Sequence, residues 1–334
     1  MYGPTYVSSI RSDNTAMLFG ERCYCLGADK ANQVDRIRGA SIKYCYGDEV
    51  ATWHEDVFTM LKSRLDKPYS KFDGTLNPEN PHHWFKKFLE SDADIYCQSY
   101  TIDDNPTLDP AFVANLKREY AGTVYYDRYI LGRWKAAEGT IYRHIADSPQ
   151  SFVLDTPPPI LFATIGVDFG GNKSATTFNC TGFTEGLREI VTLVEFYEPK
   201  TLSPDELEHK FIDFVEACQR DYLVYDAYCD SAEQTLIKGL STTCTRHRIP
   251  INIHNARKGP INERIRFFCR MQATGRHKLL RACPVTLEAF QAAVWDHKSI
   301  TKDVRLDDGK YNIDSLDAQE YAVEPYMRQM IETL

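Results

Sequence analysis

The sequence predicts an α/β protein in two parts, with a mixed sheet at the centre of the second, and three observations lead there. Ile160 to Val167 is an apolar run rich in β-branched residues; it ends at Asp168 and is followed by Gly170-Gly171, as a buried strand running into a tight turn would be. Two further runs of strand character follow at 174–182 and 188–196. From there helix and strand alternate: helix 204–219, strand 222–229, helix 232–240, strand 249–254, helix 261–273 and a last helix from about Ser315.

The first half reads in order as follows. Residues 15–27 (TAMLFGERCYCLG) suggest two short strands about Gly20-Glu21, and Ala31 to Ile37 a short helix. Ile42 to Glu49 is a strand pattern closing on Asp48-Glu49, and Trp53 to Leu65 carries Trp53, Val57, Met60, Leu61 and Leu65 on one helical stripe. A short strand stops at Thr75-Leu76-Asn77-Pro78, which places the Asn77 side chain where two strand ends would meet. Asp94 to Ile102 is expected as another strand, and Asp109-Pro110 opens a helix to Tyr120. Trp134 to Pro159, with Gly139 and Thr156-Pro157-Pro158-Pro159, is expected to be a linker, because a proline run continues neither a helix nor a central strand. The expected division is therefore 1–133, a linker at 134–159, and a second domain at 160–334. Three successive strands followed by alternation match a ribonuclease H-like mixed sheet in that second domain.

Composition narrows the function classes. With 26% charged and 43% hydrophobic residues the chain is an ordinary globular protein, and it has no 18-residue apolar run and no signal-like start. No membrane is expected as a partner. The ten cysteines include no CxxC pair, which fits reduced thiols in a cytoplasm and disfavours zinc. Net charge is −8, yet Thr243 to Pro284 holds ten Lys/Arg against the single acid Glu263, leaving −17 for the rest. A long, one-signed run in an acidic protein suggests a surface facing a polyanion, with Arg257, Lys258, Arg264, Arg266 and Arg270 as candidate DNA contacts.

The candidate chemistry lies in carboxylates at matching strand ends. Asp168 ends the first strand of the second domain, Asp230 ends the strand Tyr222 to Cys229 and is followed by Ser231-Ala232, and Asp314 and Asp317 open the last helix. A spacing of three puts the last two on one helical face. N-capping would also account for Asp314, whereas Asp317 lies among Leu316, Ala318, Tyr321 and Ala322, where a buried carboxylate needs a partner. Acids from three separate segments suit hard cations such as Mg²⁺ or Mn²⁺, and a pair of ions can hydrolyse a phosphodiester. Asp168, Asp230 and Asp317 are accordingly the expected catalytic acids, with Asp314 as a further metal ligand.

Gly27-Ala28-Asp29-Lys30, Arg36-Ile37-Arg38-Gly39, Tyr46-Gly47-Asp48-Glu49, Gly74-Thr75-Leu76-Asn77-Pro78, and Leu131-Gly132-Arg133-Trp134 through Glu138-Gly139 come in the order and near the spacing of a phage terminase large subunit of the PBSX type. That resemblance implies a partial P-loop (RecA-like) packaging ATPase domain followed by a ribonuclease H-like nuclease, acting on double-stranded DNA with a portal protein and a small terminase subunit in a bacterial cytoplasm. It implies that Asp48 is the Walker B carboxylate, Glu49 the catalytic base, and Asn77 part of the motif coupling hydrolysis to DNA movement. The sequence contains no G-x-x-x-x-G-K-[ST] cradle; the nearest approach, Gly166 to Ser174, is one residue out of register and carries Asp168. The motor half is therefore expected to lack its front part, and ATP to serve only an intact motor. Two other readings are an actin-like or sugar-kinase fold, suggested by Asp168-Phe169-Gly170-Gly171, and a non-catalytic packaging remnant. The first lacks a second Asp-x-Gly loop around Asp226 and Asp230, and the second must explain why all three acidic motifs are present.

Overall fold

The computed structural model describes residues 8–171, 174–299 and 301–332. The chain divides into two compact units, Met1–Ser99 and Tyr100–Leu334.

In the first unit β1 (Thr15–Leu18) and β2 (Glu21–Tyr24) form the anticipated hairpin. Phe19 and Gly20 both take positive φ, 50° and 85°, as a two-residue I′-type connection requires. β3 (Tyr44–Gly47) and β4 (Lys71–Gly74) pair in parallel, with α1 (Glu55–Arg64) between them in the chain and α2 (Trp84–Leu89) after them. The core here is small and aromatic: Phe58 packs against Phe72, Trp84, Phe85 and Phe88 with ring centroids 4.9 to 5.4 Å apart. The strand expected at Asp94 to Ile102 does not form. Residues 94–101 are irregular, and Tyr96 and Tyr100 are 84% and 64% exposed, so the segment has no apolar face to bury.

The second unit starts with α3 (Pro110–Tyr120), whose N-cap Asp109 accepts from the Ala111 and Phe112 amides as its Asp-Pro start anticipates. The stretch read as a linker is largely built into this unit. It carries α4 (Arg143–Asp147) and β5 (Val153–Leu154), and Ile141, Tyr142, Ile145 and Phe152 are buried in the core; residues 134–138 at its start and 157–160 near its end are irregular. Spaced apolar residues outweigh a proline run that affects a few positions.

The remaining strands are β6 (Phe162–Asp168), β7 (Thr176–Phe183), β8 (Ile190–Glu198), β9 (Val224–Cys229), β10 (Asn252–Asn255) and β11 (His277–Leu280). Their order in the sheet is β10-β9-β6-β7-β8-β11-β5, and of the seven only β7 runs against the others. The helices are α5 (Pro204–Asp221), α6 (Gln234–Arg246), α7 (Ile261–Ala273), α8 (Pro284–Ala292), α9 (Asp314–Val323) and α10 (Met327–Glu332). β11 and α8 are additions to the sequence reading, because the basic run obscured the apolar positions beneath it.

β6 is covered on both faces. Ile165 and Val167 share a core with Phe211, Val215 and Leu240 of α5 and α6. Gly166, between them, faces α9: a Cβ there would lie 1.7 Å from the Ala318 carbonyl oxygen. The missing side chain lets the helix backbone rest directly on the strand. Thr164 Oγ1 donating to the Ala322 carbonyl (2.7 Å), Asn179 Nδ2 to the Ser315 carbonyl (2.8 Å) and Thr192 Oγ1 to Gln319 Oε1 (3.0 Å) fix α9 across β6, β7 and β8. No described helix is long and apolar enough to cross a membrane.

Candidate active site

The sheet sets the first two acids side by side. β6 and β9 are parallel neighbours with Val167 opposite Cys229, and the Asp230 amide donates to the Val167 carbonyl at 3.0 Å. Asp168 and Asp230 therefore leave adjacent strands at the same end. The close seat of α9 on Gly166 brings Asp314 and Asp317 to the same place. Asp168 is only 7% exposed, and its pKa lies well above the usual carboxylate value, first through burial and then through the charges of Asp317, Asp314 and Asp230. Four acids from two strands and a helix thus share one electrostatic site.

Their oxygens are used in a regular way. Asp230 Oδ1 accepts from the Ala232 amide (2.8 Å) and from Lys258 Nζ (2.6 Å). Asp314 Oδ2 accepts from the Ala175 amide (2.7 Å), and burial raises its pKa while that amide lowers it. Asp314 caps nothing on its own helix, so the capping alternative is not what forms. Asp317 Oδ1 accepts from Arg305 Nη2 at 2.5 Å and lies 3.8 Å from Arg264 Nη1. Among the described residues, then, each flanking acid has one oxygen held by a donor and the other without a partner, and neither oxygen of Asp168 has one.

An anionic cluster built this way fits a hard cation, since it leaves buried negative charge uncompensated while fixing the carboxylates that surround it. As arranged, no group of three His, Cys, Asp or Glu among the described residues forms a ready metal-holding set. Two of the acids instead pair with Lys258 and Arg305, cations that would have to share them with an incoming ion.

Lys258 belongs to the basic run but points to the acids. Its backbone has φ +50°, and Glu324 accepts from the Lys258 and Gly259 amides at 3.0 and 2.6 Å, holding the turn. The rest of the run divides. Arg264 is 6% exposed and ion-paired with Glu320 at 2.8 Å, and Arg270 pairs with Glu119 at 2.5 Å. These two are internal ion pairs and do not face a polyanion; their acidic partners lie far away in sequence, where a local charge count cannot register them. Arg266 is half-buried over the Tyr129 ring at 5.2 Å, while Arg257 is exposed. Arg305 and Glu320, which sequence reading missed, complete the surroundings of Asp317. The signal available was the i, i+3 acid pair Asp317 and Glu320, one of them fully buried.

In the first unit the parallel β3 and β4 end together, and Asp48, Glu49 and Asn77 meet there. Asp48 Oδ1 accepts from Thr75 Oγ1 at 2.8 Å, and Glu49, at φ +50°, accepts from Asn77 Nδ2 at 3.3 Å. Thr75 is a partner the sequence reading did not assign.

Comparison with known proteins follows the same outline. Residues 6–146 match the family described as terminase large subunit, T4likevirus-type, N-terminal. No curated protein matches the chain. Among solved structures, the large terminase from a thermophilic bacteriophage aligns with TM-score 0.81 and 24% identity, over 95% of this chain and 78% of that one. The same phage protein in complex with ADP aligns with TM-score 0.80 and 23% identity, over 97% and 79%. At that identity the structural likeness shows a shared α/β fold. With the family match over residues 6–146, this makes the chain similar to phage terminase large subunits in fold and in the sequence of its first part.

Proposed function

We propose that residues 160–334 form a metal-dependent endodeoxyribonuclease that cuts phage DNA during packaging. The observation that carries this reading is the cluster of Asp168, Asp230, Asp314 and Asp317, with one oxygen of each flanking acid tied back and Asp168 without a hydrogen-bond partner among the described residues. The strand order β8-β7-β6-β9-β10, an antiparallel meander followed by two parallel strands, supports a ribonuclease H-like classification. The four acids would hold Mg²⁺ or Mn²⁺, as two ions, and the bound ions would supply Lewis-acid activation of water and stabilisation of the leaving oxygen. Asp168 would contribute two oxygens that have no partner among the described residues, and Asp230 and Asp317 are oriented by Lys258 and Arg305. With Asp230 neutralised by a bound cation, Lys258 would be free to meet a phosphate at the mouth of the site, beside exposed Arg257.

The first unit is read as part of a packaging ATPase, with Asp48 and Glu49 in the metal-holding and water-polarising roles and Asn77 on Glu49 linking hydrolysis to movement. With no phosphate cradle in these 334 residues, they are not expected to turn over ATP unaided. Double-stranded DNA, a portal protein and a small terminase subunit are the partners that belong to this reading, in a bacterial host cytoplasm.

Supercoiled plasmid tests the nuclease. The chain should nick or linearise it with Mn²⁺ or Mg²⁺ and not with EDTA, and Asp168→Asn or Asp230→Asn should reduce the rate by about a hundredfold or more. Cutting that survives both substitutions, or no metal-dependent cutting by the wild type, would overturn the assignment.

A further inference from the structure

Arg305 lies outside every motif that points to the site, yet its guanidinium is 2% exposed and bridges two acids of α9. Nη2 donates to Asp317 Oδ1 at 2.5 Å and Nη1 to Glu320 Oε1 at 2.7 Å. Asp317 and Glu320 stand three residues apart, so one planar fork spans both on a single helical face. Glu320 is fully buried and is approached from its other oxygen by Arg264 Nη1 at 2.8 Å. The segment carrying Arg305 is itself anchored. Asp303 pairs with buried Arg128 and its carbonyl accepts from Asn262 Nδ2 at 3.2 Å, while the Asp296 and Leu306 amides bond to the Val304 and Val294 carbonyls. Buried ion pairs of this kind add little net stability compared with apolar packing, so the arrangement calls for another role.

We propose that Arg305 is a positioning residue: it clamps Asp317 through Oδ1, with Glu320 as the fixed counterweight, and leaves Oδ2 as the one oxygen offered to a divalent ion. This rests on the metal-site reading above. A guanidinium can hold both acids at once, whereas an ammonium of equal charge holds one; Arg305→Lys therefore changes geometry while preserving net charge. Glu320→Gln loosens the same clamp from the opposite end with a side chain of the same shape.

The test is Mn²⁺ affinity, measured by calorimetry on the full chain well below its melting temperature, for wild type, Arg305→Lys, Glu320→Gln and Asp168→Asn. Both clamp variants are expected to bind Mn²⁺ about tenfold or more weakly than wild type, with near-UV circular dichroism unchanged. A purely structural role would lower the melting temperature and leave the affinity of the folded protein unaltered. If Arg305→Lys does not fold, Glu320→Gln decides. Wild-type affinity in the clamp variants, with binding lost in Asp168→Asn, overturns the clamp alone. Absence of Mn²⁺ binding by the wild type overturns the metal site and the clamp together.

Discussion

Gly166→Ala is expected to destabilise the second unit by roughly 3 kcal/mol or more, which places it among the severe single substitutions. The new methyl would sit 1.7 Å from the Ala318 carbonyl oxygen and 2.8 Å from the Ala322 amide nitrogen, both backbone atoms of α9 that no rotamer change can move. Relief requires lifting the helix from β6. That movement strains the bonds from Thr164 and Asn179 and withdraws Asp314 and Asp317 from Asp168. Gly171→Ala is the control: among the described residues its Cβ would meet only Ser174 Oγ, at 3.6 Å, so it should be close to neutral. Urea unfolding of the two variants checks the prediction. A wild-type midpoint for Gly166→Ala would mean that α9 does not lie on this strand as described.

Asp168→Asn is expected to stabilise the metal-free protein at neutral and alkaline pH while abolishing its response to divalent ions. Burial and the three neighbouring acids raise the pKa of Asp168 well above 3.8. The folded chain thus keeps this proton over a range in which the unfolded chain has lost it. The stability linked to that proton is present at low pH and is lost as pH rises from 3.8 through the raised folded value. Asp314 is shifted in the same direction, chiefly by burial. Neutralising Asp168 removes the penalty, and each pKa unit relieved is worth about 1.4 kcal/mol. A metal ion relieves the same penalty by another route, and does so more strongly at higher pH, where it displaces fewer protons. Thermal melts at pH 5.5 and pH 8, with and without Mn²⁺, should therefore show the wild type gaining most from Mn²⁺ at pH 8. Asp168→Asn should start higher at that pH and gain nothing. Equal Mn²⁺ stabilisation of both proteins would place the ion elsewhere.

Much of this site was legible in the sequence because strand ends announce themselves. The apolar run into Asp168 and the run into Asp230 were readable without knowing which strands pair, and a parallel β6–β9 pair then forces the two acids together. Asp314 and Asp317 were readable from helical spacing. The partners were not legible. Arg305 reaches Asp317 from an irregular segment with no period, and Arg264 and Arg270 looked like part of a solvent-facing basic run. Charge along a sequence does not say which side chains turn inward; the buried positions of α7 do, and they include Arg264 beside Ile265, Phe267 and Phe268. The strand expected at 94–102 failed for the opposite reason, since alternation without a neighbouring strand or a covered face is not enough to make one.

Anomalous diffraction from crystals of the full chain soaked in Mn²⁺ tests the convergence of these acids most directly. The expected map contains two manganese peaks about 4 Å apart. One should be shared by Asp168 and Asp230, the other should reach the acids of α9, and Lys258 should have left Asp230. A map with no manganese between these four side chains, and Lys258 and Arg305 still on their carboxylates at saturating metal, would contradict the account.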